Sequence, residues 1–220
     1  MQSTKPNLGY WKIRGLASPI RYFMEYLNVS YDETLYEVTD GPEFSRNAWL
    51  DKKFTLGLDF PNLPYLMDGN EKITESHAIL MYLGRKYNAE TLGRNTSDSA
   101  KVDMVAGSIK DLNNFIIGHC YGTGDKEAVV NGLESRLPNF ENFLGKKTYL
   151  VGDYLTFVDF LFYELLELID FISESKSFAN FENLRNYLAN MRNSEFMKTH
   201  KASGRFVERP FNNKMAKINN

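Results

Sequence analysis

The sequence predicts an α/β unit followed by an all-helical unit. Strand-like and helix-like patterns alternate up to residue 88, a length in the range of a small domain. A polar segment over residues 88–98, with Gly93 and Asn95, then interrupts the apolar pattern. No convincing strand pattern follows this segment, and apolar residues recur at helical spacing instead. We therefore expect two domains, residues 1–88 and residues 89–220.

The first unit is expected to alternate strands and helices. The first helix follows from apolar residues at helical spacing, and its Pro19 has to lie in the first turn. Asp40-Gly41-Pro42 breaks the chain after the second strand, and Asp68-Gly69 predicts a tight turn between the last two strands. In chain order, the patterns predict strand 8–13, helix 15–28, strand 31–38, a short helix 45–52, strands 64–68 and 71–74, and helix 75–87.

The second unit shows four helical patterns. Thr156 and Asp159 have the spacing of a capping box, and an apolar helix follows them. Pro138 lies inside another pattern, a position at which proline kinks a helix, and Gly145 ends that pattern. The apolar positions of the other three helices are Val102, Val105, Ile109, Leu112 and Ile116 in the first, Leu133, Leu137, Phe140 and Leu144 in the second, and Leu184, Leu188 and Met191 in the last.

Composition disfavours several classes of function. The 220-residue chain has a formal net charge of −2 and a pI of about 6.0, so neither nucleic acid nor a membrane is expected as a partner. The most apolar window, residues 157–172, contains four acidic residues and predicts a buried helix. The single cysteine, Cys120, and an N-terminus without an apolar signal core favour a cytoplasmic protein. The three histidines lack the spacing of metal ligands, so no metal is expected.

The segment from Phe60 to Leu80 carries the most specific chemical signal. Pro64 stands at the start of a predicted strand, where it removes a hydrogen-bond donor from the ladder. Glu75-Ser76 opens an amphipathic helix, whose start offers free backbone N–H groups and a positive dipole end to an anion. Together these features suit a small extended peptide, held by its backbone and its carboxylate. The Leu63–Pro64 bond is expected to be cis, which presents the Leu63 N–H and C=O as a strand edge would.

This segment resembles the glutathione site of the glutathione transferases. Two further motifs, Leu8-Gly9-Tyr10-Trp11 and Leu56-Gly57-Leu58-Asp59-Phe60, resemble the mu class in particular. The resemblance implies a thioredoxin-like N-terminal domain followed by an all-helical C-terminal domain. It implies an enzyme of detoxification that joins the thiolate of its co-substrate glutathione to hydrophobic electrophiles. It also implies a homodimer in which Phe60 enters a pocket on the other subunit, whereas the alternative is that Phe60 packs within its own chain.

The resemblance further implies roles for individual residues. Tyr10 would hold the thiolate, and Leu16 and Tyr121 would line the electrophile pocket. The residues implied in glutathione binding are Tyr10, Trp11, Arg46, Trp49, Lys53, Asn62, Leu63, Glu75, Ser76 and, reaching the glutathione of the other subunit, Asp111. Tyr121 follows Asp111 on the long helix and is expected on about the same face, toward the interdomain cleft.

One hydrogen bond from Tyr10 would account for most of the activation that a thiol needs. A free thiol has a pKa of ~8.5, so little thiolate is present at neutral pH. Lowering that pKa by ~2 units requires ~2.7 kcal/mol, and one hydrogen bond to a charged group supplies about 1.5–3 kcal/mol. Without the motif, Tyr10 and Trp11 would be interpreted as two aromatic residues of a half-buried strand.

The sequence departs from the mu pattern in the binding segment and in the tail. Glu75 replaces a Gln, and a carboxylate there can still accept a hydrogen bond from the γ-glutamyl ammonium group. In the C-terminal tail Ile218 replaces a Trp, and Asn212 and Asn213 replace a more apolar pair. The range of electrophiles is therefore not predicted.

Two alternative functions remain open at this point. One is a non-catalytic, ligandin-like binding or structural protein on the same fold, which the presence of Tyr10, Trp11, Trp49, Lys53 and Ser76 disfavours. The other is a glutathione-dependent isomerase or peroxidase, which would use the same thiolate on a different substrate.

Overall fold

A four-stranded sheet organises the first part of the chain. The structure is a computed structural model that describes residues 5–219. Its strands are β1 (Asn7–Trp11), β2 (Asp32–Tyr36), β3 (Tyr65–Asp68) and β4 (Glu71–Thr74), in the order β2-β1-β3-β4. β1 runs parallel to β2, whereas β3 runs antiparallel to both β1 and β4. All four strands lie within one or two residues of the expected positions.

Three helices complete this unit. α1 (Ser18–Tyr26) connects the two parallel strands, as a parallel pair requires. A 3-10 turn over Gly15–Ala17 leads into it, and Pro19 lies in its first turn as expected. α2 (Asn47–Leu50) precedes the long loop to β3, and α3 (Ser76–Tyr87) follows β4. This order confirms the predicted thioredoxin-like α/β fold.

The rest of the chain is helical. The helices are α4 (Thr96–Tyr121), α5 (Lys126–Glu134), α6 (Leu137–Leu144), α7 (Phe157–Ser173), α8 (Glu182–Arg192) and α9 (Glu195–Ala202). No strand follows β4 within residues 5–219, which confirms the predicted fold of the second unit. α7 lies at its centre, in contact with α4, α5 and α8, and also packs against α1 of the first unit.

The helical pattern around Pro138 is two helices rather than one kinked helix. α5 ends at Glu134 and α6 begins at Leu137, so Pro138 lies in the first turn of α6. Proline is favoured there because its missing N–H would have no partner within the helix. Leu133 and Leu137 are both buried in the core, which is why the apolar spacing continues across the break.

Two further differences concern helical segments whose sequences are largely polar. α4 begins at Thr96, inside the segment predicted as a linker, because the Asn95 side chain accepts a hydrogen bond from the Asp98 N–H at 3.0 Å. α9 was not predicted. Its buried residues are only Phe196, Met197 and His200 in a polar stretch, which gives a weak periodic signal.

The predicted capping box at the start of α7 is confirmed. The Thr156 N–H donates to the Asp159 carboxylate at 2.8 Å, and the Leu150 N–H donates to its other oxygen at 2.9 Å. The most apolar window of the sequence is thus a buried helix with a capped start. Within residues 5–219, no helix has both the length and the apolar composition needed to cross a membrane.

A buried ion pair joins the two units. Arg14, in the loop after β1, donates to both carboxylate oxygens of Glu164 on α7, at 3.0 and 2.6 Å. Tyr22 of α1 donates to the same carboxylate at 2.9 Å. Burial alone would lower the pKa of Arg14, but the charge of Glu164 and its hydrogen bond, together with Tyr22 and Glu167, raise that pKa. The pair therefore fixes the loop after β1 against the helical unit.

Candidate functional site

The sheet brings most of the predicted glutathione residues to one of its ends. Because β1 and β2 are parallel, Trp11 lies opposite Tyr36 where both strands end. β3 is antiparallel to β1, so it begins at this same end, and β4 finishes there with Thr74 paired to Tyr65. The loops that leave this end carry Leu16, Asn62, Leu63, Glu75 and Ser76.

Tyr10 is the central side chain at this end. It is only 6% exposed, and its hydroxyl oxygen accepts a hydrogen bond from the Leu16 N–H at 3.0 Å. Burial raises the pKa of Tyr10 to about 12, although the Leu16 N–H acts in the opposite direction. The phenol is therefore protonated at neutral pH. Its proton makes no hydrogen bond to any group within residues 5–219, so it can be donated to a ligand.

Gly15 also shapes the site around Tyr10, a role that was not predicted from the sequence. A Cβ atom at this position would lie 2.6 Å from the Tyr10 hydroxyl oxygen, and the residue has φ +42°, where side chains are strained. A glycine therefore permits the loop to pass close to the hydroxyl and to direct the Leu16 N–H at it. Its place between a strand and a helix is the signal that could have identified it.

The strand edge has the predicted form. The Leu63–Pro64 bond is cis, as expected, and Leu63 and Pro64 are both buried at the start of β3. Beside them the Asn62 side chain donates to the Glu75 carboxylate at 3.2 Å. Glu75 has φ +69°, an unusual backbone conformation, and precedes Ser76, the first residue of α3. The helix start and the strand edge are thus held next to each other by an exposed hydrogen bond.

The residues predicted to hold the glycyl carboxylate surround α2. Trp49 is 5% exposed and packs with the rings of Tyr36 and Tyr65, so its position is fixed by the core. Arg46 lies just before α2 and is exposed, whereas Lys53 is half-buried just after it. Neither cation forms an ion pair within residues 5–219. Both are therefore available to an anion.

Tyr121 is held by the C-terminal tail. Its hydroxyl oxygen accepts a hydrogen bond from the Asn213 N–H at 2.8 Å, and burial raises its pKa. Hydrogen bonds between asparagines hold the tail together. The Asn212 N–H donates to the Asn219 side chain, which in turn donates to the Asn213 carbonyl. Ile218, at the position expected to carry a Trp, is fully buried. Like Tyr10, Tyr121 keeps its own proton free of acceptors within residues 5–219.

Asp111 does not share the surroundings of Tyr121, and the expectation of a common face was wrong. Asp111 lines a groove of about 410 Å³ beside α6, whereas Tyr121 faces the tail. Ten residues are about 2.8 helical turns, which leaves the two side chains roughly 80° apart around the helix. Within residues 5–219, no group of three or more His, Cys, Asp or Glu residues could hold a metal ion.

Comparison with known proteins gives a consistent result. The family model "Glutathione S-transferase, N-terminal domain" matches residues 6–85, and "Glutathione S-transferase, C-terminal domain" matches residues 110–204. Glutathione S-transferase Mu 1 of Macaca fascicularis is 41% identical over 95% of this chain and 96% of its own. Glutathione S-transferase Mu 5 of Mus musculus is 42% identical over 100% of this chain and 98% of its own.

Solved structures agree with these relatives. The glutathione S-transferase Blo t 8 superposes with a TM-score of 0.87 and 32% identity, covering 97% of this chain and all of its own. A pi-class glutathione S-transferase of Onchocerca volvulus, with 24% identity and a TM-score of 0.82, shows the same fold. The chain therefore belongs to the glutathione S-transferase family, in its mu class, and is an enzyme of glutathione conjugation.

Proposed function

We propose that glutathione lies across the end of the sheet, in the first of two domains, residues 1–88 and 89–220. Its γ-glutamyl group is held by Glu75 and the helix start at Ser76. Its central residue pairs with the Leu63 backbone beside Asn62, and Trp11 covers the peptide. Its glycyl carboxylate is bound by the α2 group, which comprises Arg46, Trp49 and Lys53.

The observation that carries this proposal is the Tyr10 hydroxyl. Its oxygen already accepts the Leu16 N–H, so its proton is left for an acceptor on a ligand. A thiolate is such an acceptor, and a phenol with a pKa of about 12 donates to it throughout the neutral range. The sulfur then attacks an electrophilic carbon held between Leu16 and Tyr121. A carbon–sulfur bond forms, and the leaving group departs with its electron pair.

Tyr121 is the proposed donor to electrophiles that gain charge on oxygen. In an epoxide the carbon–oxygen bond breaks, and the alkoxide formed takes the Tyr121 proton. In an enone the same hydroxyl stabilises the enolate oxygen. The free proton of Tyr121 supports this role, because the tail N–H occupies an acceptor position rather than the donor.

The cations of the α2 group provide a direct test of glutathione binding. Lys53→Gln should weaken glutathione binding about tenfold or more, because a hydrogen bond between two charged groups contributes about 1.5–3 kcal/mol. Isothermal titration calorimetry measures the dissociation constant in the purified protein. Lys52→Gln is the matched control, since this exposed neighbour carries the same charge and has no proposed role. Equal effects of the two substitutions would contradict the proposed orientation of glutathione.

We also propose a homodimer. Phe60 is 78% exposed, an unusual state for an aromatic side chain. The groove beside α4 and α6 is lined by Met104, Phe115, Phe140 and Phe143, and is large enough for a phenyl ring. In a two-fold dimer each Phe60 would fill the groove of the other subunit. Asp111 at the groove would then come near the other subunit's glutathione.

Phe60→Ala should weaken the dimer about 100-fold or more. Burying one Phe side chain contributes about 1.5–3 kcal/mol, and a two-fold dimer loses two of them. Sedimentation velocity over a concentration series measures the dissociation constant. Phe54→Ala is the control, because Phe54 is also 78% exposed in the same segment but packs near the Lys53 ammonium group. A wild-type protein that is monomeric at micromolar concentration would refute the dimer.

The wider role follows from the chemistry. An enzyme that joins glutathione to hydrophobic electrophiles serves detoxification, and a cytoplasmic location would give it access to reduced glutathione. A ligandin-like carrier would not need the free proton of Tyr10. An isomerase or peroxidase would use the same thiolate, but conjugation is the activity that the family of this chain supports.

A further inference from the structure

A second cavity lies between the loop after β2 and the C-terminal tail. Its volume is about 420 Å³, and Asp40 and Phe44 form its wall on the loop side. Arg209, Lys214 and Asn219 line it from the tail. Its polar and charged lining differs from the apolar wall expected of a pocket for purely hydrophobic electrophiles.

Arg209 is the unusual residue of this cavity. Its guanidinium group lies 4.0 Å from the ring centre of Phe171 and 4.7 Å from that of Phe211, so two aromatic faces fix its plane. It takes part in no ion pair and no hydrogen bond within residues 5–219. Burial and the neighbouring Arg14 lower the pKa of Arg209. The Arg209 side chain is nevertheless exposed, so an anion in the cavity can reach its guanidinium group.

The remaining charges of the cavity nearly cancel. Lys214 forms an ion pair with Asp40 at 2.7 Å, which joins the tail to the loop. Asn219 uses its side chain within the tail, accepting from the Asn212 N–H and donating to the Asn213 carbonyl. Two cations and one carboxylate line the cavity, so Arg209 provides its excess positive charge.

The segment beside the cavity is hydrogen-bonded to the loop after β1. The Pro210 carbonyl accepts from the Arg14 N–H at 2.9 Å, and the Phe211 carbonyl accepts from the Gly15 N–H at 3.0 Å. Gly15 in turn lies against the Tyr10 hydroxyl. A few residues further along, Asn213 donates to Tyr121. The segment that follows Arg209 therefore reaches Tyr10 through Gly15 and contacts Tyr121 directly through Asn213.

We propose that Arg209, assisted by Lys214, forms a carboxylate-binding subsite at the outer end of the electrophile pocket. The planar guanidinium group suits the two oxygens of a carboxylate, which it can bind through two parallel hydrogen bonds. The enzyme would accordingly favour electrophiles that carry a carboxylate group. This inference rests on the proposed function, because the subsite orients a substrate only if the thiolate lies at Tyr10.

The test compares 4-chloro-3,5-dinitrobenzoate with its methyl ester. In both, the glutathione sulfur replaces chloride at the same ring carbon, and only the acid carries a charge. Arg209→Gln should lower kcat/KM for the acid about tenfold, mainly through KM, as expected for a lost charge-assisted hydrogen bond. The ester should change less than about twofold, since it has no charge to bind. Because kcat/KM of each substrate is compared between the variant and the wild type, the different intrinsic reactivities of the two substrates cancel.

Two further variants separate the subsite from folding and from general charge. Lys217→Gln removes an exposed cation of the same tail that does not line the cavity, and should leave both substrates unchanged. Lys214→Gln should weaken the preference for the acid, and replaces Arg209→Gln as the test if that variant fails to fold. If kcat/KM fell equally for both substrates, or did not fall for either, the proposed subsite would be wrong.

Failure of the proposed function would be visible separately. If the wild-type enzyme conjugated neither substrate, the position of the thiolate would be wrong. Binding of 3,5-dinitrobenzoate, which has no leaving group, still tests the subsite by calorimetry. About tenfold weaker binding to Arg209→Gln than to the wild type supports the subsite, and equal binding contradicts it.

Discussion

Tyr10→Phe is expected to lower turnover about 10- to 100-fold at pH 6.5 while leaving glutathione affinity nearly unchanged. The substitution removes the one proton donor proposed for the sulfur, a hydrogen bond that contributes about 1.5–3 kcal/mol. The pKa of the bound thiol should therefore rise by ~1–2 units. Ultraviolet absorbance of the thiolate, titrated in both proteins with saturating glutathione, measures that pKa.

The pH dependence gives the sharper criterion. Burial raises the pKa of Tyr10 to about 12, so the wild-type donor stays protonated across the useful range. The deficit of the variant should be largest below the wild-type thiol pKa and shrink as the pH rises and bulk hydroxide ionises the thiol in both proteins. A deficit that did not change with pH, or identical thiol pKa values, would remove Tyr10 from thiolate activation.

Arg14→Met is expected to destabilise the fold by about 3–5 kcal/mol at neutral pH. It leaves the buried Glu164 carboxylate with the Tyr22 hydroxyl but without its cation, and an uncompensated buried charge is costly. Urea unfolding at fixed protein concentration measures the change. The control is the exposed ion pair of Lys12 and Glu37, whose charged atoms lie 2.8 Å apart. Because this pair is exposed, Lys12→Met should cost no more than about 1 kcal/mol of stability.

The sign of the pH effect follows from burial. Burial raises the pKa of Glu164 above its value in the unfolded chain, and loss of Arg14 removes the opposing effect. The folded variant then binds a proton that the unfolded chain releases near pH ~4.3. The stability deficit of the variant relative to the wild type should therefore be smallest at low pH, where Glu164 is protonated in both folded proteins, and should grow as the pH rises through the folded pKa of Glu164. The double variant Arg14→Met with Glu164→Met should be more stable than Arg14→Met alone, and the reverse order would contradict a charge-based cost.

Local signals explain why much of the molecule could be predicted. The capping box at Thr156, the turn at Asp68-Gly69 and the helix start at Ser76 depend on neighbours a few residues away. The strand-edge motif at Leu63–Pro64 is equally local, and it is part of the segment that resembles the glutathione site of the family. The predicted residues at the end of the sheet come together because two parallel strands and their loops end on the same side.

The remaining features depend on contacts between distant parts of the chain. Arg14 and Glu164 are 150 residues apart, and no local pattern pairs them. The break between α5 and α6 preserves the apolar spacing, so periodicity cannot detect it. The tail has neither helix nor strand after α9 within residues 5–219. From the sequence, its asparagines show only that the tail departs from the mu pattern. The sequence likewise gives no sign that the rings of Phe171 and Phe211 flank Arg209.

Both proposed proton donors are oriented by main-chain groups, and this has a consequence for how such enzymes diversify. The Leu16 N–H aligns Tyr10, and the Asn213 N–H aligns Tyr121. Every amino acid except proline supplies that N–H. The side chains at 16 and 213 can therefore change through successive mutations while the N–H group that aligns each phenol is retained.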